Sequence, residues 1–353
     1  MALTVVPSKP TSRTRRTAAS VSSPLIVSRI RSRTPLGRTS RCSMPPSYGT
    51  VTSCPHDSHC HTVSSSEGRV MSDTITIGEY TITALRDGDS HLPASAYPGA
   101  DFSEHPDTLD ASGTHRIRIG AHLVQGPAGT LLIDAGAGEL SLPFPAELAE
   151  LNGLTDPPSH MAEAGSLPAA LAAAGVSPDD ISKVLVTHLH LDHVGWIMHD
   201  GKPFFPNAEV HYGAADWAPL VEGAPDGDPT RPLMESAAAA GILRTFAPGT
   251  AEILPGITVA HVPGHTPGHV TIEIESQGQR ILFVGDLIEL PAQLNDRGIH
   301  FMTDHDQDQA AAARAALFAR AKADGTVIAP AHLTNPTFGI ITADDTWADA
   351  STS

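Results

Sequence analysis

The stretch Thr187-His188-Leu189-His190-Leu191-Asp192-His193-Val194-Gly195 places three imidazoles and one carboxylate within six positions. This combination suits zinc, iron and similar transition-metal ions better than magnesium or calcium. The preceding residues, Lys183-Val184-Leu185-Val186, form a short apolar run that is typical of a buried strand. We therefore expect a metal site at the point where this strand opens into a loop.

Three more predicted strands end in side chains of the same chemical types. They are residues 257–262 before Pro263-Gly264-His265-Thr266-Pro267-Gly268-His269, residues 281–284 before Gly285-Asp286, and residues 326–329 before Pro330-Ala331-His332. In α/β folds, sites gather at the carboxyl ends of strands. The four strand ends are therefore expected to meet in one site that is large enough for two ions.

This set of motifs resembles the metallo-β-lactamase superfamily of binuclear metallohydrolases, over about residues 73–342. Residues 166–181 are also similar to the branch that contains quorum-sensing lactonases and organophosphate hydrolases. The resemblance implies an α/β (α+β) fold, a four-layer αβ/βα sandwich in which two sheets lie face to face with helices outside. It also implies an enzyme, a metal-dependent hydrolase.

Seven side chains would bind two divalent metal ions if the resemblance holds. The first ion would take three histidines, and the second an aspartate and two histidines: His188, His190 and His265, then Asp192, His193 and His332. Asp286 would bridge the two ions, and Asp192 is also a candidate proton relay. Zinc is the expected metal, with manganese, iron and cobalt as alternatives because the same ligands accept them.

Four other residues carry weaker signals. Asp134 matches a family element in which the aspartate braces the site, and it is equally suited to capping a Gly-rich turn. His269 is expected to support a ligand or the fold rather than to bind metal. Trp196 and Trp217 are candidate walls of a substrate pocket, although packing into the core is the commoner role of a tryptophan.

Two ions sharing a water lower its pKa toward neutrality, so we expect a metal-bridging hydroxide to attack an ester-type bond in a lactone, carboxylic ester or phosphotriester. The lactonases carry a tyrosine shortly after the bridging aspartate. Here the residues are Leu287-Ile288-Glu289-Leu290, which argues against homoserine lactones. Residues 332–339 are similar to the organophosphate-hydrolase branch and favour substrates with an apolar body. A glyoxalase II-like thioester hydrolase and an iron-dependent persulfide dioxygenase of the same fold are the alternatives.

Charge is unevenly distributed along the chain. Residues 1–70 contain ten Lys and Arg against two acids, whereas residues 71–353 contain twelve against thirty-seven, a net charge of −25. Such an acidic domain argues against a nucleic-acid partner and leaves a small-molecule substrate as the expected one. No run approaches the ~18 apolar residues that cross a bilayer, so no membrane partner is expected.

We divide the chain into three parts. Residues 1–70 are rich in Ser, Thr, Pro and Arg and read as a disordered, spuriously translated or targeting extension. Residues 71–345 form the metallo-β-lactamase-like domain, and residues 346–353 a polar tail. The expected location is cytoplasmic, with organellar targeting by residues 1–70 left open. Residues 54–61 contain thiols and imidazoles, but no second cluster completes a structural zinc site.

Residues 138–165 are predicted to be one long loop, a candidate either to pair subunits in a homodimer or to cover the site. Helices are predicted at residues 167–174, 214–221 and 233–240, and the longest at residues 306–323.

Overall fold

Two mixed β-sheets organise residues 73–350, which are the residues that this computed structural model describes. The predictions for residues 1–70 and for the 54–61 cluster lie outside them. The strands in chain order are β1 (Thr74–Ile77), β2 (Tyr80–Pro93), β3 (Thr114–Gly126), β4 (Gly129–Ile133), β5 (Leu140–Pro143), β6 (His160–Ala164), β7 (Lys183–Leu185), β8 (Met198–His199), β9 (Lys202–Pro203), β10 (Glu209–Gly213), β11 (Leu243–Phe246), β12 (Thr250–Leu254), β13 (Ile257–His261), β14 (Val270–Ser276), β15 (Gln279–Gly285), β16 (Val327–Pro330), β17 (Gly339–Ile341) and β18 (Trp347–Asp349).

The helices lie between these strands. They are α1 (Ala146–Leu151), α2 (Leu167–Ala173), α3 (Leu191–Val194), α4 (Thr230–Ala239) and α5 (Gln307–Asp324), with 3₁₀ turns at Ala94–Ala96, Pro178–Asp180, Ala214–Asp216 and Pro291–Leu294 and a π turn at Ala218–Glu222. The predicted helix at residues 214–221 is thus a 3₁₀ turn followed by a π turn. None of the helices in residues 73–350 has the length and apolar character that spanning a membrane requires.

The first sheet has the order β11-β10-β7-β4-β3-β2-β6-β5, with β1 paired to one end of β2, and the second runs from β12 to β18 in sequence order. Strands β4, β7, β10 and β11 pair in parallel, as do β15 and β16, and the remaining pairs are antiparallel. Strands β8 and β9 form a separate hairpin. Because neighbouring parallel strands have their carboxyl ends at the same edge of the sheet, the residues that follow these strands lie close together.

Side chains along the central strands point alternately to the two faces of each sheet, so one set packs between the sheets and the other packs against the helices. In β15, Ile281 and Phe283 enter the core between the two sheets, whereas Leu282 points away and packs with Leu317 and Phe318 of α5. Strand β4 divides its side chains in the same way, because neighbouring residues face opposite sides of a sheet. Helices α2 and α4 cover the outer face of the first sheet. The predicted four-layer sandwich is therefore confirmed.

Residues 138–165 are not one long loop, and that prediction was wrong. They form β5, α1 and β6, and β6 pairs with β2 while β5 pairs with β6, so the segment extends the first sheet at its edge. Leu140 and Leu142 pack with Ile119 beneath this edge. Near the other end of the chain, residues 346–353, predicted as a polar tail, include β18, which pairs with β17 and whose Trp347 packs against Gly339.

Asp87 of β2 is a fully buried carboxylate that holds several segments together. It accepts hydrogen bonds from the backbone N–H groups of Ala137 (2.8 Å), Gly165 (3.1 Å) and Leu167 (2.8 Å) and from the indole N–H of Trp196 (3.0 Å). Four donors compensate for its removal from water. The edge strands, the start of α2 and the loop after α3 are therefore tied to one strand of the first sheet.

Replacing Asp87 by Asn should destabilise the fold. The amide nitrogen of Asn is a donor and cannot accept a hydrogen bond, so at least one buried N–H group that Asp87 accepts would be left without an acceptor. We expect Asp87→Asn to lower the free energy of unfolding by about 3 kcal/mol in a denaturant titration. Asp89→Asn, two positions away in the same strand but paired, within residues 73–350, only with the exposed side chains of Arg86 and Arg116, should cost less than about 1 kcal/mol. Equal losses in the two variants would contradict the role assigned to Asp87.

Candidate metal centre

The structure brings all seven predicted ligand residues together at the strand ends. The first sheet delivers residues 188–193 after β7, and the second sheet delivers His265 after β13, Asp286 after β15 and His332 after β16. Their ligand atoms form two groups, each within 4.8 Å: His188, His190, His265 and Asp286, then Asp192, His193 and His332. Both groups thus combine side chains from both sheets.

The short helix α3 arranges the three histidines and the aspartate of the first motif. His190 precedes α3 in an extended conformation, and its carbonyl accepts the backbone N–H of His193 at 3.1 Å. This tight turn directs His190 to one group, and Asp192 and His193 to the other. The last residue of the motif, Gly195, lies where only glycine fits, because a Cβ at this position would lie 1.9 Å from the carbonyl carbon of Ala137.

Three ring nitrogens converge in the first group. His188 Nε2 lies 3.0 Å from His190 Nδ1, and His265 Nε2 lies 3.2 Å and 3.1 Å from those two atoms. Three mutually close nitrogens cannot all be joined by hydrogen bonds. A tetrahedral zinc ion bound at 2.0–2.1 Å would hold its nitrogens roughly 3.3 Å apart, so the spacing fits a transition metal.

Asp286 lies between the two groups with one oxygen toward each. Its Oδ2 is 3.5 Å from His188 Nε2 and 3.3 Å from His265 Nε2, while its Oδ1 is 3.2 Å from His193 Nε2 and 3.1 Å from His332 Nε2. Among the described residues, Asp286 Oδ1 and His193 Nε2 are buried without a hydrogen-bond partner. A carboxylate placed in this way is suited to bridging two cations.

Asp134 orients His193, one member of the second group. It has a positive φ of 60° directly after β4, and it accepts hydrogen bonds from the backbone N–H of Thr187 at 2.8 Å and from its hydroxyl at 3.0 Å. The same carboxylate accepts the Nδ1–H of His193 at 2.9 Å. A carboxylate oxygen can only accept here, so Nδ1 carries the proton and Nε2 is left to bind a metal.

Two other histidines are oriented in the same manner. His265 Nδ1 donates to Asp304 Oδ1 at 3.0 Å, and His332 Nδ1 donates to the carbonyl oxygen of Arg118 at 2.6 Å. Sequence reasoning missed Asp304, which lies between a 3₁₀ turn and α5 in a segment without a motif. Both bonds leave Nε2 facing the site, which is the arrangement that supports metal-binding histidines.

The two groups differ in charge when no ion is bound. Burial lowers the pKa of His188, and it lowers the pKa of His190 to about 3. Burial also opposes protonation of His332, but Asp286 and Glu289 outweigh it and raise the pKa of this ring to about 10. The second group therefore holds positive charge beside Asp286, and a divalent cation can replace that charge.

Glu289 joins the site although sequence analysis assigned it no role. It is completely buried, and its carboxylate lies within 4.8 Å of the ligand atoms of Asp286 and His332. Neither oxygen has a hydrogen-bond partner among the described residues. Burial and the nearby charge of Asp286 raise the pKa of Glu289 well above its usual range. Its spacing of three from Asp286 was the only signal in the sequence.

The remaining candidate residues lie outside the two groups. The ring of His269 is buried with its centroid 5.4 Å from that of His188, and burial lowers its pKa to about 3. Trp196 packs in the core and donates to Asp87, and Trp217 packs against Tyr212 and donates to Glu222. The structure thus places both tryptophans in packing positions.

A cavity of about 230 Å³ opens on the site. His190, Asp192, Asp286 and His332 form its polar floor. The other lining residues are mostly apolar: Leu92, Ile117, Ile119, Leu140, Ala162, Leu191 and Phe301, with Ser90 and Thr303. Leu140 and Ala162 come from β5 and β6, so the edge of the first sheet forms one wall. Neither tryptophan is among the lining residues.

Residues 121–332 match the family model of the metallo-β-lactamase superfamily. An N-acyl homoserine lactonase from a Bacillus species is 25% identical over 181 residues, which cover 50% of this chain and 66% of the lactonase. A probable metallo-hydrolase from Mycobacterium bovis is 26% identical over 187 residues, which cover 46% of this chain and 54% of that protein. The matches thus span between about half and two thirds of these relatives.

Solved structures with the same fold include a hydrolase of the β-lactamase superfamily, AbOPH, with a TM-score of 0.63 and 25% identity over 78% of this chain and 96% of that one. AidC, a dizinc quorum-quenching lactonase, has a TM-score of 0.64 and 20% identity over the same shares of the two chains. Because the family model matches residues 121–332, more than half of the sequence, the chain belongs to the metallo-β-lactamase superfamily.

Proposed function

We propose that this chain is a binuclear hydrolase that cleaves an ester-type bond, in a lactone, carboxylic ester or phosphotriester, of a small molecule with an apolar body. The observation that carries the proposal is the apolar cavity that opens directly on the clustered histidines and aspartates. The distant similarity to lactonases supports it, since one of the structural relatives is a dizinc lactonase in complex with its product.

The proposed ligands divide as the two groups do. His188, His190 and His265 would hold one ion, Asp192, His193 and His332 the other, and Asp286 both. When bound, two divalent ions, of which zinc is the first candidate, supply hydroxide near neutral pH and polarise the substrate oxygen. The convergent nitrogens and the two-sided contacts of Asp286 fit this role.

Asp192 is the proposed proton carrier. Its side chain is 30% exposed, far more than that of Asp286 at 4%, and it lines the cavity. Its Oδ2 lies 3.7 Å from His193 Nε2 and 3.6 Å from His332 Nε2, so this oxygen faces the second group. Oδ1 is then available to accept a proton from the attacking water and return it to the leaving oxygen.

The cavity supports a neutral substrate. Its lining residues include neither Lys nor Arg, so beyond the proposed metal ions it offers no second cation to the charge of an anionic substrate such as a phosphomonoester. Apolar surface removed from water contributes about 25 cal/mol per Å², and most of the wall is apolar. We therefore expect preference for substrates that place an apolar group against Ile117, Ile119 and Phe301.

The first test measures metal content and hydrolytic activity in the same protein. The purified full chain should contain about two transition-metal ions and hydrolyse at least one member of a panel of lactones, aryl esters, phosphotriesters and thioesters. Asp286→Ala should lose metal and reduce kcat/KM by at least about a hundredfold, because both ions lose a ligand. Asp226→Asn, a change on the exposed surface, is the matched control. A metal-loaded chain that is inert on the whole panel would refute the proposed reaction.

The second test removes the support of one ligand. Asp134→Asn keeps a side chain that tolerates positive φ but exchanges one acceptor oxygen for a donor, so it should disturb His193. We expect about 10- to 100-fold weaker binding of one ion in a chelator competition, with the other ion retained. Asp304→Asn should give a similar loss through His265. Unchanged affinity in both variants would show that these bonds do not matter.

The third test narrows the cavity. Ala162→Phe adds a ring to the wall formed by β6, away from the proposed ligands. We expect kcat/KM for substrates with a large apolar body to fall by about 10- to 100-fold relative to the smallest substrate of the same class, at unchanged metal content. An equal change for large and small substrates would mean that the substrate does not occupy this cavity.

A further inference from the structure

Glu289 is a buried carboxylate that lies near His332 but forms no hydrogen bond with the described residues. It is completely buried, and no donor among residues 73–350 forms a hydrogen bond with either of its oxygens. Moving a carboxylate out of water without a partner is very unfavourable, and buried charges are normally paired or bound to a metal ion. None of the seven proposed ligands accounts for this group.

The backbone, not the carboxylate, positions this residue. The N–H of Glu289 donates to Gln293 Oε1 at 2.8 Å, and the N–H of Leu290 donates to the same oxygen at 3.2 Å. Gln293 is itself buried, and its Nε2 donates to the carbonyl of Ile299 at 3.3 Å. These bonds fix the turn after Asp286, so the carboxylate of Glu289 is held next to the site without hydrogen bonds of its own.

One carboxylate oxygen of Glu289 lies close to a member of the second group of ligands. A carboxylate oxygen of Glu289, one of Asp286 and a ring nitrogen of His332 all lie within 4.8 Å of one another, and all three residues are buried. His332 belongs to the second group, with Asp192 and His193, and Asp286 adjoins that group through Oδ1. Glu289, Asp286 and His332 thus form a third group of possible ligands, which shares His332 with the second group, so the position proposed for the second ion adjoins Glu289.

We propose that Glu289 is an eighth ligand of the metal centre and binds the ion that is also held by Asp192, His193 and His332. This inference rests on the proposed function, because it requires the binuclear centre. The first ion is then surrounded by three histidines and the shared Asp286, whereas the second has two histidines and three carboxylates.

This difference in ligands makes the two positions chemically unequal. Carboxylate oxygen is a harder donor than imidazole nitrogen and suits manganese better, while three imidazoles suit zinc. Three carboxylates also lower the charge of a centre with two divalent ions from +2, with Asp192 and Asp286 alone, to +1. We therefore expect the second position to discriminate less against manganese than the first.

The test measures metal binding rather than turnover. The metal-free full chain, Glu289→Gln and Glu163→Gln are titrated with zinc and with manganese against a competing chelator. Gln has the same size but no charge, and Glu163 is a mostly exposed residue of β6 that serves as the control. We expect Glu289→Gln to bind one ion with wild-type affinity and the other at least about tenfold more weakly, as loss of metal-site interactions does. The control should match the wild type.

Two results separate the possible failures. If the wild type binds two ions and Glu289→Gln binds both with unchanged affinity, Glu289 is not a ligand and the proposed function stands. If the wild type never binds a second ion, the binuclear centre and this inference fail together. The unaltered chain offers an independent check that needs no variant: with one equivalent of zinc and an excess of manganese, it should hold zinc in one position and manganese in the other. A chain that binds no manganese under these conditions would overturn the inference.

Discussion

The position of one buried carboxylate, that of Asp286, determines how the two halves of this molecule can share a site. Its Oδ2 approaches His188 from the first sheet and His265 from the second, and its Oδ1 approaches His193 from the first sheet and His332 from the second. Each oxygen therefore connects the two sheets. A shift of either sheet would separate nitrogens that must remain about as close as metal coordination requires. The geometry of the site therefore depends on how the two sheets pack against each other.

The fold and the location of the site could be predicted from the sequence because the motifs follow strands. A short apolar run that ends in His or Asp indicates both the strand and the edge at which its last side chain lies. Residues 188–193, His265, Asp286 and His332 follow this pattern, and the structure brings them together. The layered sandwich could be predicted from the same strands.

Other features depend on contacts that no local pattern reveals. Strands β5 and β6 are four and five residues long and form only because β2, far away in the chain, offers an edge. Asp304 and Glu289 are single acids without a motif, and their positions result from the folded loops around them. Trp196 packs in the core and donates its indole N–H to Asp87, which is the commoner of the two roles that the sequence allowed. Local sequence shows periodicity, but it does not show which distant group satisfies a buried atom.

The wall of the cavity is built differently from its floor. The floor belongs to the cluster of proposed ligands, and three histidines of this cluster are oriented by Asp134, Asp304 and a backbone carbonyl. The wall includes β5 and β6, the two outermost strands on one side of the first sheet, which are joined to the core by the pairing of β6 with β2 and by the hydrogen bonds to Asp87. Outer strands accept changes in length and side chain with little effect on the strands inside them. A change in β5 or β6 can therefore reshape the wall of the cavity while the clustered histidines and aspartates stay in place.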